Sequence, residues 1–101
     1  MFVLGIDPGL TRTGYGIVDI RGGGERYVMA GVIRTDPARS VGSRLVELRD
    51  DVLGVLGDYA VDAAAIEQVF VNRNRNTAMA VARASGVIMA TIASRGIEVA
   101  E

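Results

Sequence analysis

Residues 1–20 read MFVLGIDPGLTRTGYGIVDI: an apolar run, a glycine-punctuated turn and a second strand-like run. The first run, with Phe2, Val3, Leu4 and Ile6, ends at Asp7. Pro8 to Gly14 supply the turn, and Tyr15 to Ile20 the second strand. One carboxylate is thereby expected at the mouth of a rigid strand, beside a tight turn with room for a phosphate or a metal. The same residues also open an ordinary Asp-Pro-Gly turn, so this stretch alone leaves a structural and a functional role for Asp7 evenly balanced.

Working outward, Arg21 to Gly24 make a flexible connection, and Glu25 to Arg34 read as a third strand with Tyr27, Val28, Val32 and Ile33. Short turns between three strands predict an antiparallel meander. Thr35 to Arg39 break the pattern, and Ser40 is placed to cap a helix running to about Gly57. Val41, Leu45, Leu48, Val52, Val55 and Leu56 recur at helical spacing, with Arg44, Glu47, Arg49, Asp50 and Asp51 mostly off that face. Val61 to Ile66 is short, almost wholly apolar and follows a helix, the pattern of a buried parallel strand; it ends at Glu67. A polar stretch, Val71 to Thr77, leads into a second helix, about Thr77 to Ser94, which Gly96 stops before a last strand, Ile97 to Ala100. The order is β-β-β-α-β-α-β, an α/β fold with a mixed five-stranded sheet and helices on its faces.

Composition narrows the chemistry. The 101 residues are one domain or a piece of one, and half are hydrophobic, enough for a real core. Without cysteine or histidine there is no disulfide framework, no thiolate or imidazole ligand and no imidazole base, so any metal is held by oxygen: magnesium, manganese or calcium. A net charge of −1 gives no global attraction to nucleic acid, and binding to it must use a local basic patch. The sequence enters a strand without a signal-like leader and no apolar run is read as approaching membrane-spanning length, which predicts a cytoplasmic protein.

Asp7 and Glu67 each stand at the carboxyl end of an apolar strand. If the fourth strand pairs with the first, the two acids come side by side at one edge of the sheet. Close carboxylates repel and call for a cation; two divalent ions about 3.5 to 4 Å apart can promote phosphodiester cleavage. Beyond Glu67, Phe70 with Asn72, Arg73, Asn74, Arg75 and Asn76 offers stacking for a base, charge for phosphates and helix-end donors. A polar capping loop with Phe70 in the core fits the same residues. The helix from Thr77 carries Ala78, Val81, Ala82, Ser85, Ile88, Met89 and Ile92 on one face, with Ala80, Ala84, Gly86, Val87 and Ala90 elsewhere. A helix apolar nearly all round is buried on more than one side, against the sheet and against either a second subunit or further chain.

Together these residues resemble the RuvC family of crossover junction endodeoxyribonucleases. The matching stretches are LGIDPGLTRTGYGIV at Leu4 to Val18, IEQVF at Ile66 to Phe70 and ARASGV at Ala82 to Val87. The resemblance implies a ribonuclease H-like fold and a homodimer that cuts four-way Holliday junctions symmetrically in DNA recombination and repair, with two magnesium or manganese ions and the RuvA and RuvB branch-migration proteins. Asp7 and Glu67 match the first two metal-binding catalytic acids, Phe70 the aromatic at the junction crossover, and Asn72 to Asn76, with Arg73 and Arg75, a DNA-facing segment. The helix at 77–94 matches the one that meets its counterpart across the dimer.

Two departures stand out. Ser85 occupies a position where the family usually has arginine, and the family continues past the last strand with a basic stretch and a helix bearing two further catalytic aspartates. Residues 1–101, read as a nuclease core without those helices, are expected to expose one apolar sheet face, bind metal weakly and cleave little or not at all. Two other classes stay open: an ATP-binding domain of the actin and hexokinase type, with a similar opening strand, turn and strand, and a noncatalytic relative that binds nucleic acid.

Overall fold

Strand β1, Phe2–Asp7, is the centre of the sheet, flanked by β2 (Arg12–Arg21) on one side and β4 (Ala63–Ile66) on the other. The structure, a computed structural model, describes residues 1–68 and 75–101. Helix α1 covers Val41–Asp58 and α2 Arg75–Ser94, while β3 (Gly24–Arg34) and β5 (Glu98–Ala100) form the edges of a sheet ordered β3-β2-β1-β4-β5. β1, β2 and β3 are antiparallel neighbours, and β4 and β5 run parallel to β1. The meander followed by crossover units is thus the order expected from the sequence.

The strands alternate. Leu4, Ile6, Ile17, Ile33, Ala64 and Ile66 are buried on one face and share a single core with Leu48 and Val52 of α1 and Ile88 and Ile92 of α2. Both helices therefore lie on the same side of the sheet. The opposite side is paved by small residues, Gly5, Gly16, Ala63 and Ala65, and is uncovered among the described residues.

Several boundaries shift for local reasons. β2 starts at Arg12 because its ladder with β3 begins at the Arg12–Arg34 pair, shrinking the turn after β1 to Pro8 to Thr11. β4 starts at Ala63, since Asp62 is spent on the start of β1: its carboxylate accepts from Phe2 N–H at 2.8 Å and its own N–H donates to Phe2 O at 2.9 Å. Ser40 caps α1 as expected, its hydroxyl accepting from Ser43 N–H. Gly96, at φ 76°, makes the left-handed exit from α2 that an L side chain resists.

Two expectations need correction. Arg44, placed off the apolar face of α1, is only 8% exposed. Its guanidinium bridges Thr35 Oγ1 at 2.9 Å and Thr11 Oγ1 at 2.8 Å, so hydroxyls on the sheet edge draw a charged residue inward. At 20 residues, α2 is long and apolar enough to cross a membrane by length and composition. Its inner face is seated on the sheet through Ala84, Ile88 and Ile92, and mid-helix Arg83 would cost about 2.5–3.5 kcal/mol at a bilayer centre, which together mark a core helix.

Candidate active site

The parallel register of β1 with β4 ends at Ile6 opposite Ile66, and the Glu67 N–H extends it by donating to Ile6 O at 3.0 Å. Asp7 and Glu67 are the next residues on each strand. Because Ile6 and Ile66 are buried toward the helices, strand alternation turns both acids to the other side, and both are exposed. Their side chains meet. A hydrogen bond to Asp7, the negative charge of Asp7 and, least, desolvation push the Glu67 carboxyl above the ordinary 4.5. Neither acid has an ion-pair partner among the described residues.

The turn after Asp7 is tightly built. Gly9 is required there, since a Cβ would come 2.2 Å from the carbonyl oxygen of Arg12. The buried Thr13 hydroxyl accepts from Gly9 N–H at 3.2 Å and donates to Gly9 O at 2.6 Å, closing the turn on itself. Leu10 is buried, and its carbonyl accepts from Thr35 Oγ1 at 2.6 Å, while Thr35 N–H donates to Thr11 O at 3.1 Å. Arg44 completes the support through Thr11 and Thr35. Asp7 therefore leaves a central strand and enters a turn whose backbone has little freedom, the preorganisation a catalytic carboxylate requires.

An all-oxygen donor set suits a hard divalent cation, and the neighbouring charge of Asp7 raises the Glu67 carboxyl. Among the described residues no group of three or more acids converges on one point, so Asp7 and Glu67 stand as a pair.

Of the other expected site residues, Phe70, Asn72, Arg73 and Asn74 lie outside the described residues. Arg75 is exposed and is the first residue of α2. Ser85 is buried, with its Oγ 3.9 Å from Met89 Sδ, so this position faces the interior. The outward face of α2 runs instead through Met79, Ala82, Gly86, Ala90 and Ala93. Sequence reading passed over Thr13, Thr35 and Arg44, whose roles arise from contacts that the fold creates between residues apart in the chain.

The chain matches the family model described as crossover junction endodeoxyribonuclease RuvC over residues 3–101. It belongs to the RuvC family. A RuvC relative from Parasynechococcus marenigrum is 45% identical over the whole chain, and one from Paramagnetospirillum magneticum 41% identical. The chain spans 65% of the length of the first and 61% of the second. In three dimensions it is similar to Thermus thermophilus RuvC solved in complex with Holliday junction substrate, with a TM-score of 0.86 at 30% identity over 98% of this chain and 62% of that one. That likeness establishes the ribonuclease H-like fold of the RuvC family. An Aquifex aeolicus PPX-GPPA enzyme shares the fold alone, with a TM-score of 0.53 at 17% identity over 98% of this chain and 35% of that one.

Proposed function

We propose that residues 1–101 form a nuclease-core domain of a structure-selective endonuclease that resolves four-way DNA junctions by metal-dependent phosphodiester hydrolysis, in recombination and repair. The observation that carries this reading is the parallel pairing of β1 with β4, which brings Asp7 and Glu67 together at one sheet edge in a RuvC-family chain. Asp7 and Glu67 would hold magnesium or manganese. A divalent cation bound there supplies Lewis-acid polarisation of the phosphodiester and lowers the pKa of water near it.

The work of this chain's own residues is positional and electrostatic. Gly9, Thr13 and the Arg44–Thr35 bridge fix the backbone that carries Asp7, and the β1–β4 ladder fixes Glu67 beside it. The charge of Asp7 beside it raises the Glu67 carboxyl above its ordinary value, and a cation held between the two acids would offset that repulsion. Two carboxylates alone bind such ions weakly, and two further acids complete a site for two ions.

Phe70, Asn72, Arg73, Asn74 and Arg75, which follow Glu67 in the sequence, are assigned to DNA contact. A homodimer through α2 is supported by its exposed small-residue face at Ala82, Gly86 and Ala90, where a Cβ on Gly86 would meet nothing. Branch-migration proteins of the RuvA and RuvB type are the assigned partners, and the cytoplasm the assigned compartment.

The test is cleavage of a synthetic four-way junction in magnesium, by this chain and by the same sequence extended to the length of its relatives, each with and without Asp7→Asn. Paired symmetric nicks from the extended protein, absent in its Asp7→Asn variant, are expected. Binding of intact junctions without any cutting by the extended protein would replace the nuclease reading with a binding module.

A further inference from the structure

Between the turn after β1 and the first turns of α2 lies an open cleft of about 410 Å³, whose polar lining comes from Thr11, Arg12, Arg44, Asn76 and Thr77. Among the described residues no acid lines it. Arg44 reaches it from α1 while 8% exposed, and its hydrogen-bond partners are two threonine hydroxyls. No carboxylate lies within ion-pairing distance of it among the described residues. A largely buried cation without a counter-ion is costly, and hydroxyls satisfy its donors without neutralising its charge. A fold that needed only a clamp on Thr11 and Thr35 could use a neutral donor. An anion in the cleft would supply what Arg44 lacks.

Two further features agree in sign. Arg12 stands exposed at the rim, and the first turn of α2, which carries no acidic residue, meets the cleft at the positive end of the helix dipole. The cleft opens at the carboxyl end of β1, next to the turn that Asp7 enters, but on the helix-covered side, whereas Asp7 and Glu67 face the other side. Acids and cleft thus flank one strand end.

We propose that this cleft is a subsite for a non-scissile backbone phosphate of the DNA substrate, held by Arg44 and Arg12 against the first turn of α2. The assignment rests on the nuclease reading and adds to it where the strand lies beyond the acids. Free phosphate shares the ligand chemistry, so both sources are tested.

Binding of a fluorescent four-way junction by the chain is measured in EDTA across a salt series, for the unsubstituted protein, Arg12→Gln, Thr77→Glu, Arg44→Lys and Arg44→Gln. Arg12→Gln and Thr77→Glu do not remove the Arg44 hydrogen bonds to Thr11 and Thr35, and a thermal melt of each variant checks that it folds. Each is expected to weaken binding several-fold and to lower the slope of log K against log salt by about one. Arg44→Lys should retain more affinity than Arg44→Gln. Unchanged affinity and slope in Arg12→Gln and Thr77→Glu would overturn the subsite and leave the nuclease reading standing. Absence of junction binding by both the unsubstituted chain and the sequence extended to the length of its relatives would overturn both. In a parallel titration, inorganic phosphate that shifts the Thr11 and Thr77 amides at low millimolar concentration, with no effect of these variants on junction binding, would assign the cleft to free phosphate instead.

Discussion

Two carboxylate sites sit at opposite ends of the β1–β2 ladder, and they are built on opposite plans. At one end Asp19, opposite Phe2 in register and 2% exposed, is surrounded by cations: the Met1 ammonium at 3.0 Å, Arg21 at 2.6 Å and Arg26 at 3.5 Å. Burial pushes its carboxyl up, but the hydrogen bond from the ammonium and the charges of Arg21 and the terminus outweigh it, leaving Asp19 below its ordinary 3.8. At the other end Asp7 has no ion-pair partner among the described residues and faces a second acid, and Glu67 is pushed up. The buried acid is the one with counter-ions, and the exposed pair carries the conflict. A carboxylate that serves the fold finds its counter-ions within the protein; a carboxylate pair left in repulsion is a candidate for holding an ion or substrate from outside.

The strongest way to break this contrast is Asp7→Asn. It should abolish divalent-cation binding at the sheet edge while raising the melting temperature at neutral pH, because Glu67 loses its repulsive neighbour; a cation titration beside a thermal melt reads both. A variant that loses cation binding and stability together would make Asp7 a structural residue like Asp19. Next in size is Gly9→Ala, where the added methyl meets the backbone of Arg12. Overpacking of this kind costs about 1–3 kcal/mol in a denaturant titration, and the shifted turn should weaken cation binding as well. Asp19→Asn is expected to lower stability by a smaller amount, since Arg21 and Arg26 are largely solvated, and to leave cation binding intact.

The smallest effect is in the pH dependence, where the two ends should slope in opposite directions. Asp19, depressed in the folded state, contributes stability that is present above pH 3.8 and lost as pH falls through its folded pKa. Glu67, raised in the folded state, contributes stability present below pH 4.5 and lost as pH rises through its folded pKa. Melting curves of Asp19→Asn and Glu67→Gln across the acid range separate the two, and magnesium at neutral pH should recover the part lost at Glu67.

Much of this contrast was legible in the residues. Apolar runs ending at Asp7 and at Glu67, a cap at Ser40 and glycine at 96 fix the element order, and a helix between a meander and a buried strand leads to the β1–β4 pairing that unites the acids. The inward turn of Arg44 was not legible, because helical periodicity assigns charge to solvent and cannot see Thr11 and Thr35 arriving from elsewhere in the chain. Nor could periodicity choose the inner face of α2: with small apolar residues all round, contact with the sheet selects Ala84, Ile88, Thr91 and Ile92 over Val81 and Ala82. The cation cluster around Asp19 was equally hidden, since Met1 and Arg26 reach it only through strand pairing.

If Asp7 and Glu67 form a cation site, manganese added to the protein will broaden the backbone amide signals around them. Broadening centred on Asp7, its cross-strand neighbour Gly14 and Glu67, and lost in Asp7→Asn, is the predicted result. Broadening that spares this edge, or that persists unchanged in Asp7→Asn, would contradict it.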